Sequence, residues 1–411
     1  MEVENKNQSM MSTIELQNIE IHPFQTTSNH ETCLLEIAGR FFEVGKDAAE
    51  LLVYFKNNGC EDEDIEAYVR MTGKHSFREI KGFLEGLAKK LSEEGKDYDK
   101  RNTFLYNKEL LSSAVVARCS SGLKVLFNKW VMVLVILGFI ILDVLFFIDF
   151  ASSGTSRLML DIYILIMLLC FFIFSSFFHE LGHAAACRYW NIAHGGIGLG
   201  LYINIPVFYT DVSNAWKLSR GKRLVVNLGG VYFQMILLIP FLIACLVTPG
   251  NISNYIVLTM NFNFLMTLNP FFKFDGYWIM TDALGVANLR KRGKEWMQYV
   301  VDKLRRKQTG NRPYLLSLSR GAKIVLIGYT LVVNLFFGFY FFYMIPSFFI
   351  RFYHTFPDRM MQLLSELSYR QVPDWGNIQQ IVLQLCFLGL FCYMVYKMIM
   401  PWLKKWLKAD T

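Results

Sequence analysis

The sequence has no paired cysteines: its eight (Cys33, Cys60, Cys119, Cys170, Cys187, Cys245, Cys386 and Cys392) fall singly, with no CxxC among them. That spacing argues against both a thiolate metal site and a disulfide framework. Charge is also scarce, at 18% of residues, and the net charge of +8 is spread over segments between apolar runs rather than gathered in one block. A nucleic-acid surface needs basic residues on one face, so none is expected. No apolar stretch with a small-residue cleavage site opens the sequence, so no cleaved signal peptide is expected. Roughly the first 125 residues read instead as polar and cytoplasmic.

Apolar residues are what the sequence has in excess. At 53% hydrophobic and 16% aromatic over 411 residues, it exceeds the composition of an ordinary soluble domain. Six runs are expected to cross a bilayer, at 131–150, 158–186, 224–247, 255–272, 324–345 and 381–400. Basic residues before the third run (Lys217, Arg220, Lys222, Arg223) and after the fourth (Arg290, Lys291, Arg292, Lys294, Lys303, Arg305, Arg306, Lys307) belong inside by the positive-inside rule. A multi-pass protein of the cell membrane follows, with both termini cytoplasmic and a bacterial source expected. Residues 286–323 read as a basic amphipathic linker on the inner leaflet, and 350–380 as an outer loop.

One of these runs ends in Phe177-Phe178-His179-Glu180-Leu181-Gly182-His183. On a helix, positions i and i+4 share a face, so His179 and His183 can offer two imidazole nitrogens to one ion with Glu180 beside them. Two neutral imidazoles suit Zn²⁺, and a carboxylate left outside the ligand set can serve as general base and acid. Ionisable side chains within an apolar helix cost roughly 2.5–3.5 kcal/mol each, and a bound metal is a compensating reason for three in five residues. Such a site needs a third protein ligand. Asp275, in Leu268-Asn269-Pro270-Phe271-Phe272-Lys273-Phe274-Asp275-Gly276, lies at the matching depth of the fourth run; Asp211 and His194 are the competitors.

Two other stretches matter. Residues 195–209 alternate with the period of a strand, placing Gly198, Gly200, Tyr202 and Asn204 on one side, and Pro206 is expected to stop it. A substrate drawn out in extended form could pair there, making Tyr202 and Asn204 candidate substrate contacts. Further upstream, two short strands (33–38 and 40–44) joined at Ala38–Gly39 read as a hairpin, followed by helices at 47–55, 62–71 and 77–91 separated by Gly59 and Gly73.

That hairpin with three helices, a winged-helix-like α+β arrangement, resembles the PqqD-like leader-peptide-recognition domain through Leu34 to Gly39, Phe41 to Val44 and Ala49 to Phe55. The HExxH helix together with the Asn-Pro…Asp-Gly segment resembles the site-2 protease (M50) family of intramembrane zinc metalloproteases, and more closely its bacterial peptide zinc metalloprotease branch. The resemblance runs through Phe178 to Cys187, Pro206 to Arg223 and Leu268 to Tyr277. It implies His179, His183 and Asp275 as Zn²⁺ ligands, Glu180 as general acid and base, and Asn269 as a polar contact for substrate. The Asn-Pro…Asp-Gly segment is shorter and bulkier than in the sterol-regulator-cleaving members, and no PDZ-like insertion is visible, so their substrates do not carry over.

The expected architecture is an α-helical polytopic membrane protein of about six transmembrane helices, with a membrane-associated strand and a small N-terminal α+β domain. Its expected divisions are a flexible N-terminus (1–30), a peptide-recognition domain (31–95), a linker (96–129), a protease core (130–284), a basic linker (285–323) and C-terminal transmembrane helices (324–411). The expected activity is cleavage of a small ribosomally made precursor peptide, with a peptide exporter or modifying enzyme as further partners. The alternatives are release of a membrane-tethered regulator and a non-proteolytic immunity or export role.

Overall fold

The computed structural model describes residues 19–24, 32–37, 39–98, 104–152, 162–202, 205–247, 251–286, 288–305 and 313–407. The chain divides into two compact units, Met1–Leu326 and Ile327–Thr411.

The first unit opens with an antiparallel sheet in the order β1 (Glu20–Phe24), β2 (Thr32–Ile37), β3 (Arg40–Gly45). The first strand falls within the segment expected to be a flexible N-terminus; its run Glu-Ile-His-Pro-Phe is too short and too mixed to announce a strand, and pairing with β2 is what makes it one. The other residues of 1–30 lie outside those described, apart from Ile19. Helices α1 (Lys46–Asn58), α2 (Asp62–Thr72) and α3 (Phe77–Tyr98) follow. Their apolar stripes recur at helical spacing, so Leu52, Phe55, Ile65, Ile80 and Leu84 bury against Leu35 of the sheet. Gly73 ends α2 in the left-handed region at φ 60°, where a Cβ would be strained.

The expected linker is not structureless. It holds a strand, β4 (Phe104–Leu111), and a helix, α4 (Ser113–Leu123). Two apolar helices follow, α5 (Lys129–Ser152) and α6 (Ile162–Tyr189). The stretch 195–209 is a hairpin rather than a single strand: β5 (Ile197–Tyr202) turns back into β6 (Ile205–Thr210), and Pro206 does not stop it. β6 is an outer strand of the sheet β4-β5-β6, and proline is tolerated on an edge because one side of the ladder needs no donor. β4 closes the other side, a pairing across about ninety residues that local pattern cannot announce.

Helix α7 (Arg220–Val247) is the centre of this unit. Of its apolar window 44% is buried, against 11% for α5 and for α6, whose outward side chains are left for lipid. Leu238, Leu242 and Cys245 of α7 pack with Phe139 and Phe146 of α5 and with Ile256, Val257, Met260 and Phe264 of α8 (Asn251–Thr267). The fourth expected span stops early. α8 has 17 residues, about 25 Å of helix, and short of the bilayer's apolar thickness of about 30 Å. The chain then turns, and α9 (Asp275–Leu284) and α10 (Leu289–Leu304) follow, so the basic linker is largely helical.

Beyond it, α11 (Arg320–Phe339) continues through a wider turn into α12 (Ile345–Ser368), and α13 (Trp375–Leu407) returns. The outer loop expected at 350–380 is thus mostly helix. Its polar residues lie on one stripe of an amphipathic α12, which breaks the apolar run without breaking the helix. Within the second unit, Phe348 and Phe349 of α12 pack against Phe387 and Phe391 of α13, tilted and edge-on respectively, at 4.1 and 5.0 Å between ring centroids. Among the described residues, five helices are long and apolar enough to cross a membrane, not six. The chain is a largely helical membrane protein with a small N-terminal β domain.

Candidate metal centre

The site forms where α6, α7 and α9 meet. Gly182 of α6 lies directly on α7: a Cβ there would stand 2.8 Å from the Gly229 carbonyl carbon and 2.9 Å from Phe233 Cγ. Only a side chain of one hydrogen lets the two backbones approach this closely. The approach brings the HExxH turn against one stripe of α7, formed by Val226, Gly230 and Gln234 at i, i+4 and i+8.

That stripe orients both rings. His183 Nδ1 lies 2.8 Å from the Val226 carbonyl oxygen, and His179 Nδ1 lies 3.2 Å from Gln234 Oε1. The Gln234 amide is itself fixed by donating from Nε2 to Ser175 Oγ at 3.1 Å, which leaves Oε1 facing the ring. An acceptor opposite each Nδ1 places the ring proton there and leaves each Nε2 with a lone pair. The two Nε2 atoms are 3.1 Å apart.

Asp275 supplies the third corner. It is the first residue of α9, after a turn in which the Asn269 carboxamide oxygen accepts the Phe271 N–H at 2.8 Å and Arg290 donates to the Phe271 carbonyl. Gly276 has no room for a Cβ, which would lie 2.8 Å from Leu268 Cα, so this turn packs hard against the start of α9. Asp275 Oδ2 comes to 2.9 Å from His179 Nε2 and 3.3 Å from His183 Nε2. It is buried and no hydrogen-bond donor satisfies it.

Three lone pairs so close repel one another unless a positive charge lies among them. A tetrahedral zinc ion with bonds of 2.0–2.1 Å has ligand atoms about 3.3 Å apart, which matches separations of 3.1, 2.9 and 3.3 Å. His179, His183 and Asp275 therefore fit a metal ion and supply three of the four positions of a tetrahedral one. Glu180, one residue along the helix, is 8% exposed and lies beside this set without joining it. Thr210, the last residue of β6, donates from its hydroxyl to the Glu180 carbonyl at 3.4 Å, tying the sheet to the site.

The competing ligands go elsewhere. Asp211 is exposed, and its Oδ1 accepts from the Ser213 backbone and hydroxyl at 2.9 and 2.6 Å. His194 Nδ1 faces the Gly195 carbonyl at 2.8 Å, and the residue does not join the triangle. The Asn269 carboxamide oxygen is engaged within its own turn, by the Phe271 N–H. The Tyr202 side chain and the whole of Asn204 lie outside the described residues. Gln234 and the Val226 carbonyl had no signal in the sequence beyond their spacing from one another, because nothing there says which face of α7 meets α6.

A second cluster, Glu20, His22 and Glu36, lies on the N-terminal sheet. Lys217 Nζ occupies it, 2.7 Å from the Glu36 carboxylate, so it reads as an ion-pair contact that binds β1 and β2 to the segment before α7.

No family model and no solved structure matches the chain. Over 140 residues, it is 25% identical to a Bacillus subtilis (strain 168) protein described as "Putative peptide zinc metalloprotease protein YydH". The match covers 33% of this chain and 55% of that relative, so the chain spans about half of the relative's length. The likeness is to a zinc metalloprotease by name and to nothing finer.

Proposed function

We propose that this chain is a membrane-embedded zinc metalloendopeptidase of the site-2 protease type. The observation that carries this reading is the convergence of His179 Nε2, His183 Nε2 and Asp275 Oδ2 beside a buried Glu180 that takes no part in the triangle. A purely structural ion has no use for an adjacent free carboxylate. When bound, Zn²⁺ supplies a Lewis acid for the scissile carbonyl and makes water more acidic.

The protein's own groups do the rest. The Glu180 carboxylate accepts a proton from the attacking water and delivers it to the nitrogen of the leaving amine. Gln234 and the Val226 carbonyl hold the rings in the ligating tautomer. The walls of α6, α7 and α9 limit water around the reacting groups, which strengthens each charge interaction. An extended substrate would add to the outer edge of β6, whose last residue touches Glu180.

The substrate we propose is a small ribosomally made precursor peptide, with its leader captured by the N-terminal sheet and helices 31–95 and its cleavage site presented to the core. The reading has the protein in a bacterial cell membrane with both termini cytoplasmic, beside a peptide exporter or modifying enzyme. The basic segments flanking α7 and α9 support that orientation. The test is cleavage of short peptides encoded beside the gene by Glu180→Gln. Cleavage should fall by about 10²–10⁴-fold while zinc is retained. Undiminished cleavage would overturn the assignment, and zinc binding with no cleavage by the unmutated chain would favour a non-proteolytic immunity or export role.

A further inference from the structure

Asp275 begins a helix of only ten residues, and a helix that short does not set its own position. What fixes α9 lies seven residues on. Positions i and i+7 share a face, two turns and about 10 Å apart, so Asp282 looks toward α7 as Asp275 looks toward the rings. Arg223 Nε donates to Asp282 Oδ1 at 2.6 Å, and Asn227 Nδ2 donates to Asp282 Oδ2 at 2.7 Å. Arg220 donates to the carbonyls of Asp282 and Ala283, satisfying groups that the end of the helix leaves open.

This clamp is dry. Asp282 is 4% exposed and Arg223 3%. The guanidinium also donates to the Leu218 carbonyl at 3.1 Å, and the rings of Phe24 and Trp216 cover it at 4.9 and 5.4 Å. Arg223 and Asn227 lie on the same stripe of α7 as Val226, Gly230 and Gln234. One helix thus orients both imidazoles and also grips the far end of the element that brings the carboxylate to them.

We propose that Asp282 and Arg223 are positioning residues for the metal site: through α9 they set the height and rotation at which Asp275 meets His179 and His183. This rests on the reading that those three residues hold zinc. Neither Asp282 nor Arg223 touches the metal or the substrate. A buried pair of this kind contributes little net stability against a well-packed apolar substitute, but its directional hydrogen bonds fix a register that apolar packing does not.

The test is zinc affinity by chelator competition, with the cobalt(II) visible spectrum as the second readout, on the purified full chain. Asp282→Asn should weaken zinc by about 10–100-fold, as loss of an outer partner does at other metal sites, and should alter the cobalt bands. Added to Asp275→Asn it should weaken zinc no further, because both changes remove the same ligand; a bystander in the fold would add its own loss. Affinity within about twofold of the unmutated chain, or an additive loss, overturns the proposal. Should Asp282→Asn not fold, the pair Arg223→Met with Asp282→Leu removes both charges together, which buried pairs tolerate, and the same readouts decide. An unmutated chain that binds neither metal overturns the metal reading first and the positioning role with it.

Discussion

Replacing Gly230 by alanine adds one methyl group to the floor of the proposed metal site, and the geometry sets what it should cost. The new Cβ would stand 2.5 Å from His179 Cδ2 and closer still to Cε1 and Nε2. Ordinary contact begins at 3.4 Å, so the ring must retreat by at least about 0.9 Å, which is the shortfall at Cδ2 (3.4 less 2.5) and is smaller than the shortfall at Nε2. A zinc–nitrogen bond of about 2.0–2.1 Å does not survive that displacement. The loss in zinc affinity should therefore be at least the roughly 10–100-fold that removal of an outer partner causes. Stability should respond far less. Overpacking costs about 1–3 kcal/mol and the better helix propensity of alanine returns up to about 1 kcal/mol. Gly138→Ala on α5, where a Cβ meets nothing within 4 Å, is the control and should leave zinc binding unchanged. Chelator competition and thermal unfolding on the same samples separate the two effects. If Gly230→Ala bound zinc as tightly as the unmutated chain, His179 Nε2 could not be the ligating atom and the reasoning would be wrong.

Gln234→Leu removes the acceptor opposite His179 Nδ1 and strands a buried N–H at a cost of about 1–3 kcal/mol; zinc affinity by chelator competition should drop while Gln234→Glu, which keeps the acceptor, retains it, and equal affinities for the two variants would contradict the assigned tautomer. At the N-terminal sheet, burial raises the Glu36 carboxyl, but the Lys217 amine and the His22 ring outweigh it and hold it below its usual value. A depressed carboxyl contributes stability above the unfolded pKa, about 4.3, and that contribution is lost as pH falls through the folded value. Thermal unfolding against pH should thus show a loss below about pH 4.3 that Glu36→Gln lacks, and parallel profiles would contradict the Lys217–Glu36 contact.

How much of this was legible depended on the range of the interactions. The spacing of His179 and His183 is a local fact of helix geometry, and so is the placing of Asp275 at the end of an apolar run. Their approach to within 3.3 Å is not local; it needs Gly182, Gly229 and Gly276, whose lack of a side chain reads in sequence as mere flexibility. The strand period at 195–209 was visible, but its division into two paired strands and its partner Phe104–Leu111 were not, since strand pairing carries no signature at such separation. A run of apolar residues announced a span at 255–272, and Pro270 with the Asn269 turn ended the helix at Thr267 instead. Arg223 read as one of four inward-facing charges on a loop, whereas it is buried against Asp282. Charge alone does not tell an orienting residue from a paired one.

X-ray absorption at the zinc edge of the purified full chain tests the arrangement most directly. It should show a single zinc held by nitrogen and oxygen at about 2.0–2.1 Å, with the signal altered by Asp275→Ala and lost when His179 and His183 are both replaced by alanine. A chain without stoichiometric zinc, a sulfur shell at about 2.3 Å, or a spectrum indifferent to Asp275 would contradict it.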